Sequence, residues 1–209
     1  MQKRGKFIAL EGGEGSGKGT HMAYLKEKLG FEAFIPTMEP GGTGLGMKIR
    51  ELILTHQSFD MCFKTELLLF FADRAQHIEK VIAPALEAGH NVISDRFSLS
   101  TVAYQIYGRE KTEYLPFCLD LENHIVGRYR PDLYVFLDVP IEKGIKRMHE
   151  REGGHGDRLD EETLHFHRNV RQGYVTHLRD YPHFIVNTDR PVELVKEEVL
   201  RVVSMYLHQ

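Results

Sequence analysis

Cysteine is scarce in this chain. Cys62 and Cys118 are the only two, and they lie far apart. They supply neither a disulfide framework nor a paired metal-ligand motif, and they suit a reducing, cytoplasmic setting with buried-thiol roles. An excess of positive charge is missing too. Lys and Arg number 27 against 30 Asp and Glu, a net charge of −3, and no basic tract stands out. That argues against nucleic acid or an anionic membrane as the main partner. Long apolar runs are also absent: the longest, Leu67 to Ala72, is too short to span a bilayer. Lys3, Arg4 and Lys6 lead only into one short strand, so no signal peptide is expected. Repeats, linkers and low-complexity tracts are lacking, and a single domain over residues 1–209 is the expectation.

Apolar residues (42%) and charged residues (27%) are present in ordinary measure. They suffice for one sizeable α/β domain. Histidine is plentiful, with His149, His155, His165, His167 and His177 crowded into one part of the chain. No carboxylate or cysteine stands with them at a recognised metal spacing, so solvated helix and loop surface is expected there.

The most informative stretch runs from Phe7 to Thr20. An apolar run ends in Gly12, Gly13, Gly15, Gly17 and Gly19, with Lys18 among them. Met22, Leu25 and Leu29 then recur at helical spacing. Strand, tight loop and helix follow in that order. Glycines let successive N–H groups point inward, and the helix start adds free N–H groups and a positive dipole end. A phosphate-binding loop is read over Gly12, Gly13, Glu14, Gly15, Ser16, Gly17, Lys18, Gly19 and Thr20, with Lys18 as the mobile charge for the outer phosphates. The strict pattern ends in a hydroxyl directly after the lysine. Here Gly19 holds that place and the hydroxyl comes one residue late, at Thr20.

Further buried strands are expected at Ala33–Ile35, Asn91–Asp95, Leu133–Leu137 and Phe184–Val186. Helices are expected at Gly46–Leu54, Lys64–Ala88 (kinked or split by Pro84), Leu99–Ile106, Tyr114–Val126, Ile141–Arg151, Glu161–Tyr181 and Val192–Leu207. Alternating strands and helices imply right-handed βαβ units. The expected fold is α/β: a doubly wound, five-stranded parallel sheet of P-loop NTPase type with helices on both faces. Ligands in such folds sit beyond the carboxyl ends of the strands, where Glu11, Asp95 and Asp138 fall. Asp95 there suits magnesium, with Thr20 as the hydroxyl partner, and Arg96 suits a second phosphate. An ion pair tying strand to helix is the plainer use of Asp95 and Arg96. Arg147, Arg151 and Arg158 flank Gly153, Gly154 and Gly156, a pattern for a closing lid at about 147–160 or for a solvated loop. The P-loop carries no arginine of its own, which favours the lid. By pattern alone Phe70 and Tyr104 read as core residues.

Several segments together resemble bacterial thymidylate kinases along nearly the whole chain. They are Leu10-Glu11-Gly12 with Gly17-Lys18, Glu39-Pro40-Gly41-Gly42-Thr43, Phe71-Ala72-Asp73-Arg74-Ala75, Asp95 to Gln105, Phe136 to Pro140, and Asp157-Arg158-Leu159. The run Asp-Arg-x-x-x-Ser-x-x-Ala-Tyr-Gln is the most specific of them. The resemblance implies ATP- and magnesium-dependent phosphorylation of thymidine monophosphate, with Lys18, Asp95, Arg96 and lid arginines as the catalytic set. It implies that Phe70 stacks on the base and Arg74 bonds it. Arg96 would hold the acceptor phosphate, helped by Glu39 and Arg50, and Ser100, Thr101, Tyr104 and Gln105 would line base and sugar. It also implies a homodimer through helix faces. Two positions depart from the family: Gly19 replaces its usual Ser or Thr, and Met38 replaces an arginine that often precedes Glu-Pro-Gly-Gly. Gly-Lys-Gly-Thr is the adenylate kinase form, so another nucleoside monophosphate kinase is the first alternative. A nucleotide-binding regulator without turnover is the second. The adenine site is marked only by position, at Thr188 to Val192.

Overall fold

The computed structural model describes residues 3–30, 32–55, 60–150, 158–159 and 162–207. Strand β1 (Phe7–Glu11) is buried at every position, as a run without polar alternation requires. It lies between β3 (Val92–Asp95) and β4 (Leu133–Asp138), with β2 (Ile35–Met38) and β5 (His183–Asn187) at the edges. Every pairing is parallel and the order is β2-β3-β1-β4-β5. The expected doubly wound sheet of five strands is the sheet that forms.

Side chains alternate between its faces. Ile8, Leu10, Ile93, Val135 and Leu137 pack against Met22 and Leu25 of α1 (Lys18–Leu29) and Val195, Val199 and Val203 of α9 (Val192–Leu207). Phe7, Ala9, Val92, Tyr134 and Phe136 point the other way. They meet residues of α2 (Gly44–Leu54), α3 (Phe63–His77), α4 (Ala83–Glu87) and α8 (Leu164–His177). Thr43 caps α2 by accepting from Gly46 N, and Thr163 caps α8 by accepting from Phe166 N.

Several element bounds differ from expectation. β2 does not stop at Ile35; it runs on through Pro36, which pairs with Ile93. An edge strand tolerates the donor that proline lacks. The long helix is not simply kinked at Pro84. A π-helical turn, Ile78–Ile82, joins α3 to α4, and Ala83 N reaches back five residues to Ile78 O. The wide turn makes room for a ring that would otherwise meet the carbonyl four residues back. The helix expected over Leu99–Ile106 is α-helical only at α5 (Ser98–Thr101), and Val102–Gly108 is π-helical. The helix expected from Glu161 to Tyr181 is α8 followed by a 3₁₀ turn, Leu178–Asp180. α6 (Leu115–Val126) and α7 (Ile141–His149) complete the set. Arg151, His155 and the glycines of the lid lie outside the described residues.

Candidate functional site

β1 ends at Glu11 and the chain turns at once into the glycine-rich loop. Gly15 sits at φ 66°, in the left-handed region. A Cβ there would lie 2.0 Å from the carbonyl oxygen of Gly144 in α7, so the loop is pressed onto that helix by the lack of side chains. Lys18, the first residue of α1, folds over the loop: Nζ donates to Gly12 O at 2.9 Å and Gly13 O at 3.2 Å. Burial lowers the Lys18 pKa, and nearby Arg96 lowers it further.

Two cavities meet at the start of α1. The larger, about 480 Å³, has Lys18, Thr20, Asp95 and Arg96 at one end. Glu39, Arg50, Phe70, Arg74, Ser100, Thr101, Tyr104 and Gln105 line the rest. Every residue that the resemblance assigns to an acceptor nucleotide therefore borders one cleft. The smaller cavity, about 280 Å³, is lined by Gly15, Ser16, His21, Arg147, Thr188, Arg190 and Val192. Gly17 and Thr20 border both. Asp95 and Thr20 offer a carboxylate and a hydroxyl beside Lys18, an oxygen donor set that suits magnesium. Among the described residues no group of three or more His, Cys, Asp or Glu forms a protein-only metal cluster. The crowded histidines there do not gather, although His167 is buried and not surface as expected.

Arg96 is the hub of the cleft. It is a non-glycine residue at φ 71°, a conformation that persists only where neighbours enforce it. Its N donates to Leu10 O at 2.9 Å and its carbonyl accepts from Ser94 Oγ at 2.7 Å. The guanidinium donates to Glu14 Oε1 at 2.5 Å and Gly12 O at 3.1 Å, and lies 4.8 Å over the Tyr104 ring. Tyr104 O–H donates to the same Glu14 oxygen at 2.5 Å.

On the far wall Arg74 is 1% exposed. Nε donates to Glu39 Oε2 and Nη2 to Thr101 Oγ1, each at 2.9 Å. Nη1 has no hydrogen-bond partner among the described residues. Gln105 donates from Nε2 to Glu66 Oε1 at 3.2 Å, while its Oε1 is buried and unpartnered among the same residues. Arg50 Nη1 donates to Pro40 O at 2.9 Å.

The three arginines that read as candidates for a lid divide. Arg147 lines the smaller cavity and donates to Thr188 O at 3.1 Å. Arg158 is tied to Ile53 O at 3.1 Å and to the Glu66 carboxylate. Arg151 lies outside the described residues.

Three buried groups hold this arrangement; the sequence placed only Glu11 near the site, and showed the holding role of none of them. Glu11 accepts from Phe97 N, from Ser100 N and Oγ, and from Tyr174 Oη, which fixes the turn after β3. Burial pushes its pKa up to about 6, against the pull of Ser100 and Arg96. His77 bridges Thr37 Oγ1 at 2.6 Å and Glu39 Oε1 at 2.9 Å. Glu66 gathers Gln105, Arg109 and Arg158. A charged residue on an otherwise apolar strand or helix face was the one available signal for each.

A glycine loop of this form, set between a central parallel strand and a helix in the order 2-3-1-4-5, defines the P-loop class of α/β proteins. The thymidylate kinase family model matches residues 10–199. A thymidylate kinase of Marinomonas sp. (strain MWYL1) is 44% identical over 200 residues, covering 94% of this chain and 92% of that protein. One from Desulfovibrio desulfuricans is 40% identical over 213 residues, with 97% of each chain covered. One from Synechococcus sp. is 49% identical over 176 residues, covering 80% of this chain and 78% of that protein. The chain belongs to the thymidylate kinase family.

Proposed function

We propose that the chain transfers the γ-phosphoryl group of ATP to thymidine monophosphate, yielding the diphosphate and ADP. The observation that carries the choice of acceptor is that two residues lining the cleft each keep a buried polar atom with no partner among the described residues: a donor at Arg74 Nη1 and an acceptor at Gln105 Oε1. Buried polar groups are ordinarily satisfied. Thymine carries a carbonyl and an N–H, one partner for each of these atoms. Cytosine presents an amino group beside a bare nitrogen, so both contacts would fail. Phe70, on the same wall, offers a stacking face. By the family resemblance, Tyr104 of this cleft would pack where a ribose 2′-hydroxyl lies, which would favour deoxynucleotides.

In this reading the P-loop amides and Lys18 hold the ATP phosphates, with adenine toward Thr188–Val192 in the smaller cavity. The acceptor phosphate exchanges with Glu14 on Arg96. An oxygen of that phosphate, already ionised, attacks the γ-phosphorus, and the bond to the β-bridging oxygen breaks. No general base is needed, so positioning and charge compensation do the chemistry. Asp95 and Thr20 would hold magnesium, which supplies charge neutralisation at the phosphates. Arg147, on the donor side, and Arg151 are the reserve of positive charge that the P-loop lacks, while Arg158 is already engaged by Glu66 and Ile53 O. Exposed Leu45, Met47 and Leu52 of α2 and Leu68 of α3 support the homodimer reading. No helix among the described residues is long and apolar enough to cross a membrane; the cytoplasmic setting is proposed from the two free thiols.

The test is kcat/KM across thymidine, deoxyuridine, deoxycytidine, uridine and adenosine monophosphates, read by ATP consumption. Thymidine monophosphate should lead and deoxyuridine monophosphate follow, since a missing methyl costs about 1–3 kcal/mol. Deoxycytidine and uridine monophosphates should be nearly inert. A preference for deoxycytidine or adenosine monophosphate would overturn the substrate, and the lack of acceptor-dependent ATP consumption would overturn the activity.

A further inference from the structure

Gln105 carries a donor and an acceptor on one amide, and the two are nearly isosteric. Which of them the cleft presents depends on what sits behind. Behind it is Glu66, whose residue is 3% exposed in the wall of α3. An ionised carboxylate only accepts hydrogen bonds, so toward Glu66 the amide must offer Nε2–H. That leaves the buried carbonyl as the group without a partner among the described residues.

Glu66 is kept ionised by two arginines. Arg109 donates to both carboxylate oxygens, at 3.3 and 3.4 Å, and Arg158 pairs with Oε2. Burial works to raise the Glu66 pKa, but the two guanidiniums outweigh it and the value is lowered. Arg158 is also anchored on Ile53 O, and Arg109 on Glu162, so the carboxylate is gripped from both sides. Gly108, one residue before Arg109, ends the π-helical turn that carries Tyr104 and Gln105.

We propose that Glu66 is a specificity-positioning residue: by accepting from Gln105 Nε2 it locks the amide with its carbonyl as the free group, and so selects an acceptor base with an N–H donor. This rests on the functional reading above. Thymine and uracil carry that N–H and cytosine does not.

The experiment compares kcat/KM for thymidine, deoxyuridine and deoxycytidine monophosphates in wild type, Glu66→Gln, Gln105→Ala and the double variant. In Glu66→Gln the facing amide both donates and accepts, so Gln105 is free to flip. Thymidine and deoxyuridine monophosphates should then fall together by about 10-fold, mainly through KM, while deoxycytidine monophosphate does not fall. In the Gln105→Ala background Glu66→Gln should leave the selectivity ratio unchanged. An equal fall for all three nucleotides, or the same loss of ratio without Gln105, would overturn the proposal. A second measurement needs neither a variant nor turnover. In wild-type protein labelled with ¹⁵N at glutamine, the Gln105 side-chain amide protons should be protected from exchange without nucleotide. They should stay so when thymidine monophosphate is added. Free exchange would overturn the proposal. Protected protons in a protein that turns over no thymidine monophosphate would instead place the failure with the functional reading.

Discussion

The two cavities that meet at α1 are built from different materials. The smaller is bounded by turns and element ends: a left-handed glycine turn, the start of a helix, and the chain leaving β5 at Thr188, with His21, Arg147 and Arg190 around them. The larger is made from side chains, and most of those are held by other side chains: Arg74 by Glu39 and Thr101, Gln105 by Glu66, Arg96 by Glu14. The contrast matches what each would read. A phosphate looks alike on every nucleotide, and a row of N–H groups suffices for it. A base is told from its neighbours by one donor or acceptor, which needs side chains whose own orientation is fixed.

The sharpest way to break this contrast is at Lys18, the first residue of α1, which lines the larger cavity where it meets the P-loop. Lys18→Ala should lower turnover by about 10²–10³-fold, as for other preorganised electrostatic contacts, while circular dichroism and Tm stay near wild type. Near-normal turnover in the folded variant would mean that the loop backbone works alone.

A smaller effect is expected on the side-chain half. Phe70→Ala should raise KM for thymidine monophosphate and leave KM for ATP unchanged, because base–aromatic stacking is worth about 1–3 kcal/mol. If both KM values rise equally, the two halves are not separable.

The smallest effect concerns the seam between them, where Glu11 ties the turn after β3 to the end of β1. Its pKa is about 6 in the folded protein against an ordinary 4.5, so the folded state holds the proton more tightly. The stability this group contributes is therefore complete below pH 4.5 and lost as pH rises through 6. At 1.36 kcal/mol per pH unit the change is at most about 2 kcal/mol. Glu11→Gln should flatten the pH dependence of the urea midpoint over that window, and parallel slopes for wild type and variant would exclude it.

The same division explains what was legible beforehand. The P-loop could be read residue by residue, because glycine spacing after an apolar run is a local property of the chain. The five strands were legible for the same reason, with the exception of β2, where Pro36 read as a stop; only knowing that the strand is an edge makes it admissible. The π-helical turns were not legible, since Val102–Gly108 has the apolar spacing of an ordinary helix and its widening is settled by packing against α8. In the larger cleft Lys18, Thr20, Asp95 and Arg96 were legible from the P-loop and a strand end, and the base-facing residues only through resemblance. Phe70 and Tyr104 are indistinguishable by pattern from the core around them. The groups that orient the cleft were out of reach: Glu39 and His77 lie 38 positions apart, Glu66 and Arg158 lie 92 apart, and Glu11 and Tyr174 lie 163 apart. No local periodicity links such pairs.

The contact between Gly15 and Gly144 makes α7 a lever whose fulcrum rests on the P-loop. A Cβ on Gly15 would overlap Gly144 O, and a Cβ on Gly144 would lie 2.4 Å from Glu14 O, so neither position accepts a side chain unless the helix backs away. Three residues beyond that fulcrum, Arg147 bonds Thr188 O at the mouth of the smaller cavity. The loop and Arg147 are thus joined through one helix, with the Gly15 contact at one turn and the bond to Thr188 O at the next. In evolutionary terms the two glycines form a single character: a change at one is admissible only with a displacement that the other, and Arg147 with it, must follow.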